Sequence, residues 1–160
     1  MTSRYLAYST EDGAKFEGYL ALPRTTDQKS PGILIAPNWT GRNPEAMARA
    51  DALAREGYVT LVLDPYGEGR IGSTRAECTE LMSPLMEDRS LLFRRIHTAL
   101  EVLRDQEEVD DTRLAAIGFC FGGLCVLDLA RGGAKLQGAV SIHGIFSAPE
   151  SVASHAINPK

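Results

Sequence analysis

Short, uninterrupted apolar runs alternate along this chain with longer stretches in which apolar positions recur every three or four residues. The runs Ile33-Leu34-Ile35-Ala36, Tyr58-Val59-Thr60-Leu61-Val62-Leu63 and Leu114-Ala115-Ala116-Ile117-Gly118-Phe119 are short and almost wholly apolar, so each predicts a strand covered on both faces. Between them the period changes. Asn43-Pro44-Glu45 reads as a helix start, with Asn as the cap and Pro at the first helical position. Ala46, Met47, Ala50, Leu53 and Ala54 then recur at helical spacing until Gly57 stops the helix. Beyond a Gly-rich loop, Leu92, Phe93, Ile96, Ala99, Leu100 and Leu103 form one stripe of a long helix, with polar residues following up to Thr112. Another helix is predicted from Phe121 to Arg131, and a last strand from Leu136 to about Ile142. At the N-terminus, Arg4 to Ser9 and Ala14 to Leu22 flank Glu11-Asp12-Gly13, the pattern of a β-hairpin with Phe16, Gly18, Leu20 and Leu22 on one face.

Strands that alternate with helices and are apolar throughout predict an α/β fold: a mostly parallel sheet with helices on both faces and right-handed crossovers. Ligands in such sheets sit at the carboxyl ends of the strands. That directs attention to Pro37-Asn38-Trp39-Thr40, Asp64-Pro65-Tyr66, Cys120 and His143. Two glycine motifs fall near these positions. Gly67-Glu68-Gly69-Arg70-Ile71-Gly72 matches the dinucleotide-binding spacing, but Asp64-Pro65 separates it from the preceding strand and no second strand ends in an acidic residue about 20 residues on. It reads as a loop, with no cofactor. Gly118-Phe119-Cys120-Phe121-Gly122-Gly123 lies where the pattern passes from strand to helix, and it has the form of a nucleophile elbow with Cys in place of Ser. A sharp turn there lifts the side chain above the sheet, and the helix beginning at Phe121 aims its unpaired N–H groups and the positive end of its dipole at the sulfur.

Composition narrows the classes. At 160 residues, 44% hydrophobic and 24% charged, the chain has the make-up of one globular domain over residues 1–160. Seventeen Lys and Arg against 21 Asp and Glu leave a formal charge of −4, which offers a nucleic acid backbone no basic footprint. No apolar run approaches the ~20 residues of a membrane span, and no basic stretch with an apolar follower opens the chain, so a cytoplasmic protein is expected. Cys78, Cys120 and Cys125 read as free thiols. His97, His143 and His155 are scattered, with neither CxxC nor HxxxH, so no metal site is expected.

The elbow GFCFGG at 118–123 resembles that of the dienelactone hydrolase family of α/β-hydrolases. Similar family segments are Arg55-Glu56-Gly57-Tyr58 leading into Leu63-Asp64-Pro65-Tyr66-Gly67, Val109-Asp110 before Arg113-Leu114-Ala115-Ala116-Ile117-Gly118, and Gly138-Ala139-Val140-Ser141-Ile142-His143-Gly144. The resemblance implies an α/β-hydrolase-like fold, Cys120 as nucleophile, and an oxyanion hole built from the backbone N–H groups of Phe121 and Trp39. It implies a small-molecule ester or lactone as substrate. Asn38 stands where the family often carries a glutamate. The family's triad acid and histidine follow two further strands, about 60 residues beyond this chain, so a C-terminally incomplete domain is expected. His143 and His155 are then candidate substitutes for the base, and His97 reads as structural. The alternative is a non-catalytic binding or oligomerising module that keeps the hydrolase core. The last strand, internal in the family's fold, would be left with an unpaired edge, from which a homodimer is expected.

Overall fold

A computed structural model of the chain describes residues 1–24 and 28–150. Its single sheet has the order β1-β2-β4-β3-β5-β6, with β1 (Thr2–Ser9), β2 (Lys15–Leu22), β3 (Ser30–Ala36), β4 (Val59–Val62), β5 (Val109–Phe119) and β6 (Gly138–Ile142). The four strands β4, β3, β5 and β6 are parallel neighbours, and the opening hairpin joins them antiparallel through β2 against β4. The helices are α1 (Pro44–Arg55), α2 (Arg75–Glu87), α3 (Arg89–Arg104) and α4 (Phe121–Arg131).

The period of two within each strand distributes its side chains over two cores. Leu20, Leu34, Leu61 and Ala116 face the larger one, with Leu92, Ile96, Leu100 and Leu103 of α3 and Leu124, Cys125 and Leu129 of α4. Their sequence neighbours Ala21, Ile35 and Val62 face the other side, where α1 lays Ala46, Ala50 and Ala54 against them. Three alanines at a spacing of four let that helix lie close to the sheet. Asn43 caps α1 as its sequence predicts, its side chain accepting from the Ala46 N–H at 2.8 Å.

Two expectations are corrected. The stretch between the Gly-rich loop and the stripe of the long helix holds a separate helix, α2, which starts on a capping box: the Thr74 hydroxyl accepts from the Glu77 N–H, and the Glu77 carboxylate accepts from the Thr74 N–H. Cys78 and Leu85 are its buried residues, so the core-facing stripe is too thin to stand out in the hydrophobic pattern. Strand β5 begins at Val109, well before Leu114, because Ser30 and Pro31 of β3 pair with Val109 and Asp110 across a register shift that the polar residues 110–113 conceal.

The face of β5 and β6 beyond α1 carries Ile117 and Phe119, in register with Val140 and Ile142, which are 50% and 42% exposed. Ile145 and Phe146, at 49% and 74%, extend this apolar surface past the end of β6. No helix among the described residues is long and apolar enough to cross a membrane.

Candidate active site

Ala36 and Gly118 are paired in register on β3 and β5, so the loops that leave these strands begin side by side at the carboxyl edge of the sheet. From β5 the chain turns at once into α4. Cys120, at the turn, has φ +55° and ψ −114°, outside the regions open to ordinary residues and at a cost of order 1–3 kcal/mol. The turn is held from both sides: the Cys120 N–H donates to Ile142 O on β6 at 2.9 Å, and the Cys120 carbonyl accepts from the Gly123 N–H at 2.9 Å. The glycines are required by close approach. A Cβ on Gly118 would overlap the Gly122 carbonyl, and one on Gly122 would overlap the Ala36 carbonyl, so backbone packs on backbone on both sides of the thiol.

Cys120 is half-buried, while Cys78 and Cys125 are buried, and desolvation pushes the Cys125 thiol far above its ordinary range. Only the thiolate is an effective nucleophile. Brief treatment with iodoacetamide near pH 8 is therefore expected to label Cys120 first, read by peptide mapping. Equal or faster labelling of Cys78 or Cys125 would count against the elbow as the reactive position.

Trp39, on the loop after β3, is half-buried, and its N–H direction follows from its neighbours. The Asn38 carbonyl accepts from the Gly41 N–H at 3.0 Å, and in a planar trans peptide the Trp39 N–H must then point the opposite way. Among the described residues neither the Trp39 N–H nor the Phe121 N–H has an acceptor. The Asn38 side chain, at the position noted for a family glutamate, is a local hub. Its Oδ1 accepts from the Thr40 N–H at 2.9 Å, the Thr40 hydroxyl at 2.7 Å and the Asn43 amide at 3.2 Å, which ties the loop to the start of α1. The spacing Asn38-x-Thr40 is an Asx-turn signal.

The histidines divide. His143 directly follows β6, is exposed with φ +58°, and makes no hydrogen bond or ion pair among the described residues. His97 stacks on Phe93 of α3 at 5.4 Å, with Glu101 at 3.9 Å, which suits a surface role. His155 lies outside the described residues. No group of three or more His, Cys, Asp or Glu among the described residues is placed to hold a metal.

The GxGxxG loop is a scaffold for its neighbour Asp64, a residue the motif itself does not contain. The buried Asp64 carboxylate accepts from the N–H groups of Glu17, Tyr66, Gly67 and Gly69 at 2.8–3.1 Å, which fixes the loop after β4. That loop carries Tyr66, whose hydroxyl donates to the Trp39 carbonyl at 2.6 Å and whose ring lies parallel to Phe121, with centroids 6.3 Å apart. The loop that carries Trp39 and the elbow at Cys120-Phe121 thus leave the same edge of the sheet, with Tyr66 reaching both Trp39 and Phe121. Its role has no local sequence signature, because its partners come from two other loops.

A second buried carboxylate lies behind the elbow. Asp128 of α4 is 3% exposed; it accepts two hydrogen bonds from Arg89, at 2.7 and 2.8 Å, and one from Arg131 at 3.2 Å. The same guanidinium groups donate to the carbonyls of Ser147 and Phe146 at 2.9 Å each, which ties the segment after β6 to α3 and α4.

Comparison with known proteins agrees with this architecture. The solved structure called m3DLH is 38% identical and superposes with a TM-score of 0.87 over 93% of this chain and 62% of its own. A dienelactone hydrolase-like promiscuous phosphotriesterase from metagenomic libraries is 35% identical, with a TM-score of 0.85 over 89% of this chain and 59% of its own. Among curated proteins, a probable 2-oxo-3-(5-oxofuran-2-ylidene)propanoate lactonase of Bradyrhizobium is 28% identical over 142 residues, 88% of this chain and 56% of that protein. The chain therefore spans roughly six-tenths of the length of these relatives. The sequence model of the dienelactone hydrolase family matches residues 16–160, and with the strand order and the elbow already described, the chain belongs to that family.

Proposed function

We propose that this chain takes part in the hydrolysis of small esters or lactones through a Cys120 acyl-enzyme. The observation that carries the reading is the strained elbow: a half-buried thiol at φ +55° immediately before α4, beside a loop whose Trp39 N–H has no acceptor among the described residues. The sulfur attacks the ester carbonyl, an S–C bond forms, and the carbonyl oxygen takes the negative charge. The N–H groups of Trp39 and Phe121 receive that charge, as donors fixed in advance of the reaction. The C–O bond then breaks, and the alcohol leaves with the proton the thiol gave up. Water attacks the thioester, the C–S bond breaks, and carboxylic acid and thiol are regenerated. The lactonase among the relatives agrees with a cyclic ester as one substrate class.

An activated aryl ester such as p-nitrophenyl acetate tests this. One acetyl group per chain is expected on the peptide carrying Cys120, read by mass. An unmodified Cys120 at saturating ester would overturn the proposal. An acyl group that forms and is never released would favour the alternative, a module that keeps the elbow without turnover.

The surface also supports a partner, a second copy of this chain. Among the described residues β6 pairs only with β5, and Val140, Ile142, Ile145 and Phe146 stand exposed beside that edge. A two-fold axis normal to the sheet would pair β6 with β6 of a second copy, antiparallel, and set the two patches side by side on one continuous face. Light scattering at micromolar concentration is expected to give the mass of a dimer. A stable monomer would overturn the pairing.

A further inference from the structure

We propose that Tyr66 is a positioning residue that sets the Trp39 N–H against the Phe121 N–H, joining two halves of an oxyanion site that belong to different loops; the proposal rests on the ester-hydrolase reading above. Tyr66 is 1% exposed and belongs to neither half. Its own loop is anchored independently. The Asp64 carboxylate accepts from the Tyr66 N–H at 3.1 Å, the Tyr66 carbonyl accepts from the Arg70 guanidinium, and the Pro65 carbonyl accepts from Arg95 at 2.8 Å. From this fixed base the side chain reaches both neighbours. Its hydroxyl donates to the Trp39 carbonyl at 2.6 Å, and its ring stacks on Phe121 at 9° from parallel.

The peptide geometry gives the hydroxyl its leverage. The Gly41 N–H fixes the carbonyl of the peptide whose N–H is that of Trp39, and Tyr66 fixes the carbonyl of the next peptide, whose N–H donates to Asn38 Oδ1. Two successive peptide planes are thereby held, and Tyr66 is the only one of these contacts that refers the loop to the elbow side. Without it the Trp39 N–H keeps its turn but loses its register against Phe121. Burial pushes the Tyr66 hydroxyl well above the usual phenol range, so it remains a neutral donor throughout the working pH range.

Tyr66→Phe removes the hydroxyl and keeps the ring. Two reactions of Cys120 then separate positioning from general damage: acylation by p-nitrophenyl acetate, which passes through an oxyanion, and alkylation by iodoacetamide, a displacement at carbon that develops none. The acylation rate at saturating ester is expected to fall ~10- to 100-fold, the scale of a misplaced rather than a missing group. The half-saturating ester concentration and the alkylation rate should stay unchanged. Unchanged acylation would overturn the proposal, and so would acylation and alkylation falling together. Should Tyr66→Phe not fold, Phe121→Leu, which keeps the backbone donor and removes the stacking surface, is expected to give the same acylation-selective loss. Absence of acylation in the unmodified protein would instead overturn the hydrolase reading, so the two failures are distinguishable.

Discussion

Cys120→Ala is expected to eliminate acylation by activated esters, the largest functional effect of any single substitution here. Members of a catalytic unit are strongly non-additive, with ~10⁴ to 10⁶ in rate resting on the nucleophile of triad enzymes. No other thiol can substitute, because Cys78 and Cys125 lie in the core at 3% and 1% exposure. Alanine should be accommodated well, since the φ of +55° is imposed by Gly118, Gly122 and the bond to Ile142 O rather than by the side chain. His143→Ala should leave the acylation rate as it was. That imidazole is exposed, and no carboxylate or carbonyl among the described residues orients it as a general base requires. Acyl transfer persisting in Cys120→Ala, measured by nitrophenolate release and intact mass, would show that the chemistry lies elsewhere. A loss in His143→Ala comparable to that in Cys120→Ala would make the histidine part of one unit with the thiol.

Asp128→Ala is expected to produce the largest loss of stability, of order 2–4 kcal/mol, because it leaves two partly buried guanidinium groups without their counter-charge. Arg89 and Arg131 are 12% and 19% exposed, so water only partly replaces the carboxylate. Out of the ~5–15 kcal/mol that holds a typical domain folded, this is enough to lower the urea midpoint substantially. Arg131→Ala should cost less, since Arg89 still meets Asp128 through both of its oxygens. The loss should extend to the segment after β6, whose Phe146 and Ser147 carbonyls share those guanidinium donors. Faster hydrogen exchange around α4 would report this directly. An urea midpoint unchanged in Asp128→Ala would show that the cluster is held up by its packing alone.

The strands, α1, α3, α4 and the elbow were legible in the linear sequence because each is encoded locally. Continuous apolar runs produce strands covered on both faces, a stripe recurring every three or four residues produces a helix with one buried side, and a strand-to-helix junction rich in glycine leaves room for only one sharp turn. The elbow pattern and the strand ends pointed in the same way to Cys120 and to the stretch Pro37-Asn38-Trp39-Thr40, while the selection of the Trp39 and Phe121 N–H groups rested on the family resemblance. What escaped was either weakly patterned or assembled from distant parts. Helix α2 buries little, so its capping box, not its hydrophobicity, carries its signal. The early start of β5 depends on pairing with Ser30 and Pro31, some 80 residues away in sequence, which no window along the chain contains. Asp128 looks like any polar residue in a helix until α3 brings Arg89 to it, and Tyr66 looks like a core aromatic until three loops converge on its ring and hydroxyl. Periodicity and turn chemistry act between residues a few positions apart and can be read in order. Buried charge pairs and shared hydrogen bonds are satisfied only by groups that folding brings together, so the tertiary structure alone decided them.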